Sequence, residues 1–549
     1  MRSEYQDGGT AVKKPRFQST GGMRQADNDR RPPAAEKHEQ ETLANYQDQA
    51  IPKSMESALL KMKDDLGNSA DLAIRRISLC GDEGNHLAIT YMQSMVEEMR
   101  LDEFVIQPIQ RDDKLMEMMR ERVDVCQRIQ EHLLPIGNIK AVSNYKEVFE
   151  QLFLGGSIIF IEGSNTALVA NIYGGPKRAI QEPITEMSIR GPREGFTESM
   201  RLNCMLIRRK IRSPRLWLEQ FTIGEVTQTP VGIMYVKGLA DEAVLEDLRE
   251  RLNQIRIDGI LESNYVEEFI VDQKWTPFPT IINHERPDAI ASNLLEGRVA
   301  IVVDGTPFVL VVPSTLNMFF QAAEDYYHNF QMATFLRMLR FVSFVIALLM
   351  PSIYVAIIGF HQEMIPTQLL LKLAAQREGV PFPAYLEAFI MEFVFEILRE
   401  AVLRMPSSAG SAISIVGGLV IGQSVVEAGI VSSAVVIVVA FTAISSFVAP
   451  VYSLGIAARL LRFLLLLAAS TMGFYGISIV ILLILLHLNN LRSFGMPYMK
   501  PFAPFYWTDV KDTLLRAPLW KMKRRPQLQT KDNPVREQSY VEPRQEPSQ

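Results

Sequence analysis

The sequence predicts a two-lobed α+β cytoplasmic domain followed by an α-helical multi-pass membrane domain. At 549 residues the chain exceeds one ordinary hydrophobic core, and its long uncharged runs are confined to the stretch after Phe341. Before that stretch, strand and helix signals alternate. An internal echo also links Leu152–Gly163 (LFLGGSIIFIEG) with Leu294–Gly305 (LLEGRVAIVVDG), which share a Leu, a Gly, a β-rich run and an acidic-Gly turn at one offset. Two lobes of similar topology are the reading; chance similarity of two hairpins is the alternative.

In order along the chain, residues 1–53 are rich in Gln, Asp, Arg, Gly and Pro with no apolar core, so they are expected to be a disordered polar tail and cannot act as a secretory signal. A first lobe is placed at 54–186 and a second, with its linker, at 187–330. Leu72–Leu79 and Leu87–Met92 read as strands across the turn-like Gly81-Asp82-Glu83-Gly84-Asn85, and Asp113–Leu134 reads as a long helix. Val231–Val236 is a further strand. The helix after it carries Leu245, Leu248, Leu252 and Ile255 on one face. Asp304-Gly305 supplies the positive φ angles of a tight hairpin between Val299–Val303 and Phe308–Val312.

The membrane domain is placed at 331–495, with about four spans. Phe341–Phe360 carries no charge and makes a helix about 30 Å long, the thickness of a hydrocarbon core. Ala412–Glu427, Val431–Val448 and Phe463–Leu486 are the others. Between them lies an amphipathic acidic helix, 384–405. Glu392, Glu396 and Glu400 recur every fourth residue, so at about 100° per residue they share one stripe, opposite Ile390, Val394, Ile397 and Ala401. Ionisable groups in a membrane are costly unless they face water or each other, so the stripe is read as part of an ion pathway; a helix lying in the bilayer interface is the alternative. Gln423 and Glu427, one turn apart, extend the same assignment, against a plain surface position at a helix end. Gly418 and Gly422 form a small-xxx-small repeat suited to close helix packing.

Arg337 and Arg340 before the first span and Lys521–Arg525 after the last put both chain ends in the cytoplasm by the positive-inside bias. Residues 496–549 are a cytoplasmic tail with a disordered end. Arg459 and Arg462 then fall on the wrong side, unless they belong to the pore or the span count is wrong.

Composition excludes several classes. With 57 basic and 62 acidic residues there is no global basic field for nucleic acid. Cys80, Cys126 and Cys204 are not in pair spacings, so neither a disulfide framework nor a zinc site is expected. No phosphate loop, H-E-x-x-H pair or G-x-S-x-G elbow occurs, so no enzyme, metal or cofactor is expected. Arg190, Arg193, Glu194 and Glu198 surround Gly and Pro in one short stretch, a rigid loop able to make Arg-carboxylate pairs. It is read as a coupling or interface element, or as a solvated linker. Arg286 and Asp288 read as a loop-fixing pair in the same group, and Glu324-Asp325-Tyr326-Tyr327 as a transmitter to the first span or a solvated helix start.

IRGPREGFTE at Ile189–Glu198, ERPD at Glu285–Asp288, LLEGRVAIVVDGTPFVL at Leu294–Leu310 and EDYY at Glu324–Tyr327 resemble the GerA family of spore germination proteins. FHQEMIPTQLLL at Phe360–Leu371, VPFP at Val380–Pro383, EILREA at Glu396–Ala401 and SIVGGLVIGQSVVEAG at Ser414–Gly429 extend the resemblance through the membrane half. The resemblance implies the A subunit of a nutrient germinant receptor in the inner membrane of a bacterial spore. Its partners would be a permease-like B subunit, a C lipoprotein and further copies of itself. It would form a ligand-gated channel for monovalent cations, with lipids around it. REAVLRMP at Arg399–Pro406 departs from the more usual REAGIRLP. A stage V sporulation paralogue shares many of these motifs, so the alternative is a non-conducting accessory or scaffold protein of a dipicolinic acid channel or receptor cluster.

Overall fold

The computed structural model describes residues 43–78, 85–112, 115, 125–130, 139–172, 174, 182–183, 185–404, 422–448, 450–522 and 525. Two five-stranded sheets dominate the first part. The first contains β1 (Leu72–Ser78), β2 (Asn85–Met92), β3 (Ile139–Val142), β4 (Ser157–Ile161) and β5 (Ala167–Ala170); the second contains β6 (Leu216–Ile223), β7 (Thr229–Val236), β8 (Ile282–His284), β9 (Val299–Val303) and β10 (Val309–Val312). Their orders are β1-β2-β4-β5-β3 and β6-β7-β9-β10-β8, so both follow one scheme. Every pairing is antiparallel. The two echoing stretches fall on β4 and β9, the fourth strand of each sheet in chain order.

Among the described residues, six helices of eight or more residues flank the sheets: α1 (Met55–Asp65), α2 (Tyr145–Phe153), α3 (Met200–Lys210), α4 (Glu242–Gln254), α5 (Ser263–Ile270) and α6 (Pro287–Leu295). Local chemistry sets their starts, as where the Asn144 side chain accepts the Glu147 amide at 2.9 Å. α1, α2, α3 and α6 share one central apolar core with the facing sides of both sheets. α4 and α5 cover the outer face of the second sheet through Leu245, Leu248, Leu252, Val266 and Ile270. β4, β5, β9 and β10 are therefore buried throughout, and apolar except for Ser157 at the start of β4: each is packed on both faces. Most of the expected helix at Asp113–Leu134 and the turn at Gly81–Gly84 lie outside the described residues.

The lobes are tied by Arg208 on α3. Its buried guanidinium pairs with both carboxylate oxygens of Asp71, donates to Ser69 Oγ at 2.8 Å and to the Leu216 carbonyl at 3.0 Å. Because four of its donors are used, the charge is tolerated without water.

The helical part begins with α7 (Phe330–Phe360), continues through α8 (Thr367–Arg377), α9 (Ala384–Arg404), α10 (Gly422–Glu427) and α11 (Ser433–Ser446), and ends with α12 (Tyr452–Met472) and α13 (Phe474–Asn490). By length and composition α7 and α12 are able to cross a membrane; α11 and α13 are apolar but shorter. The single span expected over Phe463–Leu486 is instead two helices. Gly473 breaks it with φ +57°, and a side chain there would meet Phe360 Cβ at 2.9 Å and His361 Cε1 at 2.8 Å. α13 then folds back on α12, since a Cβ on Gly476 would lie 2.2 Å from the Ala468 carbonyl oxygen.

Both ends of this hairpin return to the lobes. Leu454 and Leu461 of α12 and Leu488 of α13 enter the central core. Beyond α13, a two-stranded turn, β11 (Arg492–Ser493) and β12 (Met496–Pro497), straps the second lobe. Ser493 Oγ donates to the Thr280 carbonyl at 2.8 Å and the Tyr498 hydroxyl to the Pro279 carbonyl at 2.7 Å. The start of α7 is fixed in the same way: buried Arg337 pairs with Asp325 and Asp512, each at 2.8 Å, and Arg340 with Asp325 at 2.8 Å. Arg337 thus serves an internal charge network rather than a lipid headgroup.

Candidate functional site

α9 buries two carboxylates and exposes several large apolar side chains. Glu387 and Glu392 are fully buried, whereas Phe389, Phe393, Ile397 and Leu403 are exposed. That inversion suits a helix whose surroundings are less polar than its neighbours in the bundle.

The two misplaced arginines on α12 find their explanation here. Glu396 contacts Arg459 at 3.1 Å and Arg462 at 3.0 Å, and Glu392 contacts Arg462 at 2.8 Å. The last is a charge contact without hydrogen-bond alignment: neither Glu392 oxygen has a hydrogen-bond donor among the described residues. Glu400, two turns along, is exposed and pairs with Arg404 on its own helix. The three-carboxylate stripe therefore divides into two acids held in the bundle and one outside it.

Gln423 and Glu427 are exposed on α10 and bond to each other at 2.8 Å. Gly422 leaves Val436 Cγ1 3.8 Å from where its Cβ would stand; Gly418 lies outside the described residues. Sequence reasoning missed Glu387, which pairs with Arg377 at 3.3 Å and accepts the Ser432 amide at 2.9 Å, tying α8, α9 and the start of α11. Its signal was an acid in the first turn after Pro383, off the four-residue stripe.

A second constellation unites three motifs distant in sequence. Arg286, 3% exposed, donates to Asp288 at 2.8 and 3.1 Å, to Ser188 Oγ at 2.6 Å and to the Pro192 carbonyl at 3.0 Å. Asp288 also accepts the Tyr327 hydroxyl, just ahead of α7. The Tyr327 ring covers Gly191, where φ is +132° and a Cβ would stand 2.6 Å from the ring. Glu324 accepts the Ile189 amide at 3.2 Å, and the Phe196 amide donates to the Glu285 carbonyl at 2.8 Å. The loop before α3 is thus clamped between lobe and first long helix.

Not every charge of that loop takes part. Arg190 is exposed, Arg193 makes an exposed pair with Glu182 at 3.2 Å, and Glu194 pairs with Lys210 at 2.8 Å. Glu198 enters through its backbone, whose carbonyl accepts the Gly305 amide at 2.7 Å. Burial pushes the Asp288 carboxyl up, but Arg286 and the Tyr327 hydroxyl outweigh it and hold the group below the usual carboxylate range. Among the described residues no group of three or more His, Cys, Asp and Glu side chains gathers as metal ligands would.

Residues 60–528 match the model of the Bacillus/Clostridium GerA spore germination protein family. The chain belongs to the GerA family. Within it, the chain is 48% identical to spore germination protein KA of Bacillus subtilis (strain 168), over 89% of each protein. It is 40% identical to the membrane protein YfkQ of the same organism, over 92% of this chain and 97% of the relative. Among solved structures it is similar to the N-terminal domain of the A subunit of the Bacillus megaterium spore germinant receptor GerK3, with 36% identity, 48% of this chain and 95% of that chain covered, and a TM-score of 0.35.

Proposed function

We propose that this GerA-family chain is the A subunit of a nutrient germinant receptor in the inner spore membrane. It works as a receptor rather than an enzyme, with a permease-like B subunit, a C lipoprotein and further copies of itself, as part of a ligand-gated path for monovalent cations. Relatives of nearly the same length that are spore germination proteins support the coarse role. Since α7 begins, and α13 ends, against the same two lobes, an even number of crossings between them keeps both flanking segments cytoplasmic.

The observation that carries the conducting role is the Glu392–Arg462–Glu396–Arg459 group between α9 and α12. Two acids and two arginines cancel in the resting bundle, so the path is closed to cations. Separating α9 from α12 would free the acids to meet cations, and germinant binding must supply that free energy by favouring the separated state. The Arg286 clamp, joining lobe to α7, is the proposed coupling element.

Neutralising the stripe together, as Glu392→Gln, Glu396→Gln and Glu400→Gln, is expected to slow ion release per receptor in germinating spores, with release normalised to receptor abundance. Release at the wild-type rate would remove these residues from the pathway. The enclosure of Glu392 by Arg462 also favours a second reading, a non-conducting accessory protein of a dipicolinic acid channel or receptor cluster. Ion flux in liposomes holding all three receptor subunits separates the two.

A further inference from the structure

A cavity of about 1040 Å³ opens where the second lobe meets the apolar helices. Glu186, Glu285 and Phe308 line it on the lobe side; Val394, Leu398 and Val439 on α9 and α11 line its apolar depth. That is just above the range of small-molecule sites, about 300–1,000 Å³, and its walls are mostly apolar, as such sites are.

Among the described residues of this wall, Arg399 is a cation that the bundle leaves unmatched. Glu392 and Glu396 are taken by Arg459 and Arg462, and Glu400 by Arg404. Arg399 has no ion pair among the described residues; its Nη1 is buried without a hydrogen-bond partner, and its guanidinium lies 4.7 Å from the centre of the Phe447 ring. The acids across the cavity are already engaged: Glu186 Oε1 with His284 at 2.7 Å, and Glu285 Oε2 with the Thr185 amide at 3.0 Å. A surplus guanidinium beside an apolar chamber calls for an anion carried on an apolar body.

We infer that the cavity binds one anionic phospholipid of the surrounding bilayer, its phosphate on Arg399 and its chains along Val394, Leu398 and Val439. This rests on the membrane placement proposed above and adds a ligand to it. The headgroup would lie between lobe and bundle, where it holds α9 against α11 in the resting state.

The full chain is reconstituted into vesicles of phosphatidylcholine and phosphatidylglycerol, extracted in mild detergent, and its retained lipids are counted by native mass spectrometry. The wild type is expected to retain phosphatidylglycerol over phosphatidylcholine by about fivefold, the ratio one cation near an anionic surface supplies. Arg399→Gln should lose that preference, whereas Arg404→Gln, at an exposed arginine, should keep it. Val439→Trp, which fills the cavity, should lower retention of both lipids. Equal retention by the wild type, or a preference that survives Arg399→Gln, overturns the inference. Should the chain fail to enter the vesicles at all, the membrane placement falls instead.

Discussion

Arg462 is buried between two carboxylates, and neither oxygen of Glu392 gains a hydrogen bond from it. Truncating one partner of such a pair strands the other, whereas removing both is tolerated. Glu392→Gln is therefore expected to lower stability by about 3 kcal/mol, and Glu392→Gln with Arg462→Met to recover most of it. Thermal unfolding in detergent checks this; equal losses in the single and double variants would show that the pair carries no coupling. Asp288 makes a pH prediction. Its folded value lies below the ordinary 3.8, so its contribution is full at neutral pH and is lost as pH falls below 3.8 through the folded value. Proteolysis of the 185–198 loop should rise over that acid range in the wild type, and a Asp288→Asn variant should show the raised rate already at pH 7.

Among the elements, the α12–α13 hairpin depends most on one position. Gly473 has positive φ and neighbours at 2.8 and 2.9 Å from a built Cβ, while Gly495 has φ +75° with nothing within 4 Å. Both alanine variants carry backbone strain, on the order of 1 kcal/mol, but only Gly473→Ala must also push Phe360 and His361 aside. Gly473→Ala should therefore lower the unfolding temperature more than Gly495→Ala; equal shifts would place the turn's strain in the backbone alone. The hydropathy pattern showed an apolar run at Phe463–Leu486 but not its reversal, because a glycine within an apolar stretch leaves hydrophobicity nearly unchanged. β9 and β10, by contrast, were legible: a continuous apolar run rich in β-branched residues on each side of Asp304-Gly305 has few other solutions.

For the whole molecule, α7 leaves the two lobes and α13 returns to them. In a cysteine-free background, Trp275→Cys and Leu515→Cys, both exposed on the lobe side, should label together with a membrane-impermeant reagent, and Met364→Cys, just beyond the far end of α7, from the opposite face. Labelling of all three from one face would sink the even-crossing arrangement.

What the sequence by itself determined is the composition of each layer: alternating apolar runs specify strands and helices, and uncharged runs separate a polar head from an apolar tail. Those signals are local, carried by neighbours one to four residues apart. Partnership was decided only by the fold. Arg459 and Arg462 look misplaced until α12 sets them against Glu392 and Glu396, more than sixty residues earlier (Arg459 to Glu396 spans 63). Likewise the side chains of Arg286, Asp288 and Tyr327 become one clamp only when lobe and helix meet. A carboxylate's role depends on which cation shares its low-dielectric surroundings, and in this chain those cations arrive from distant segments.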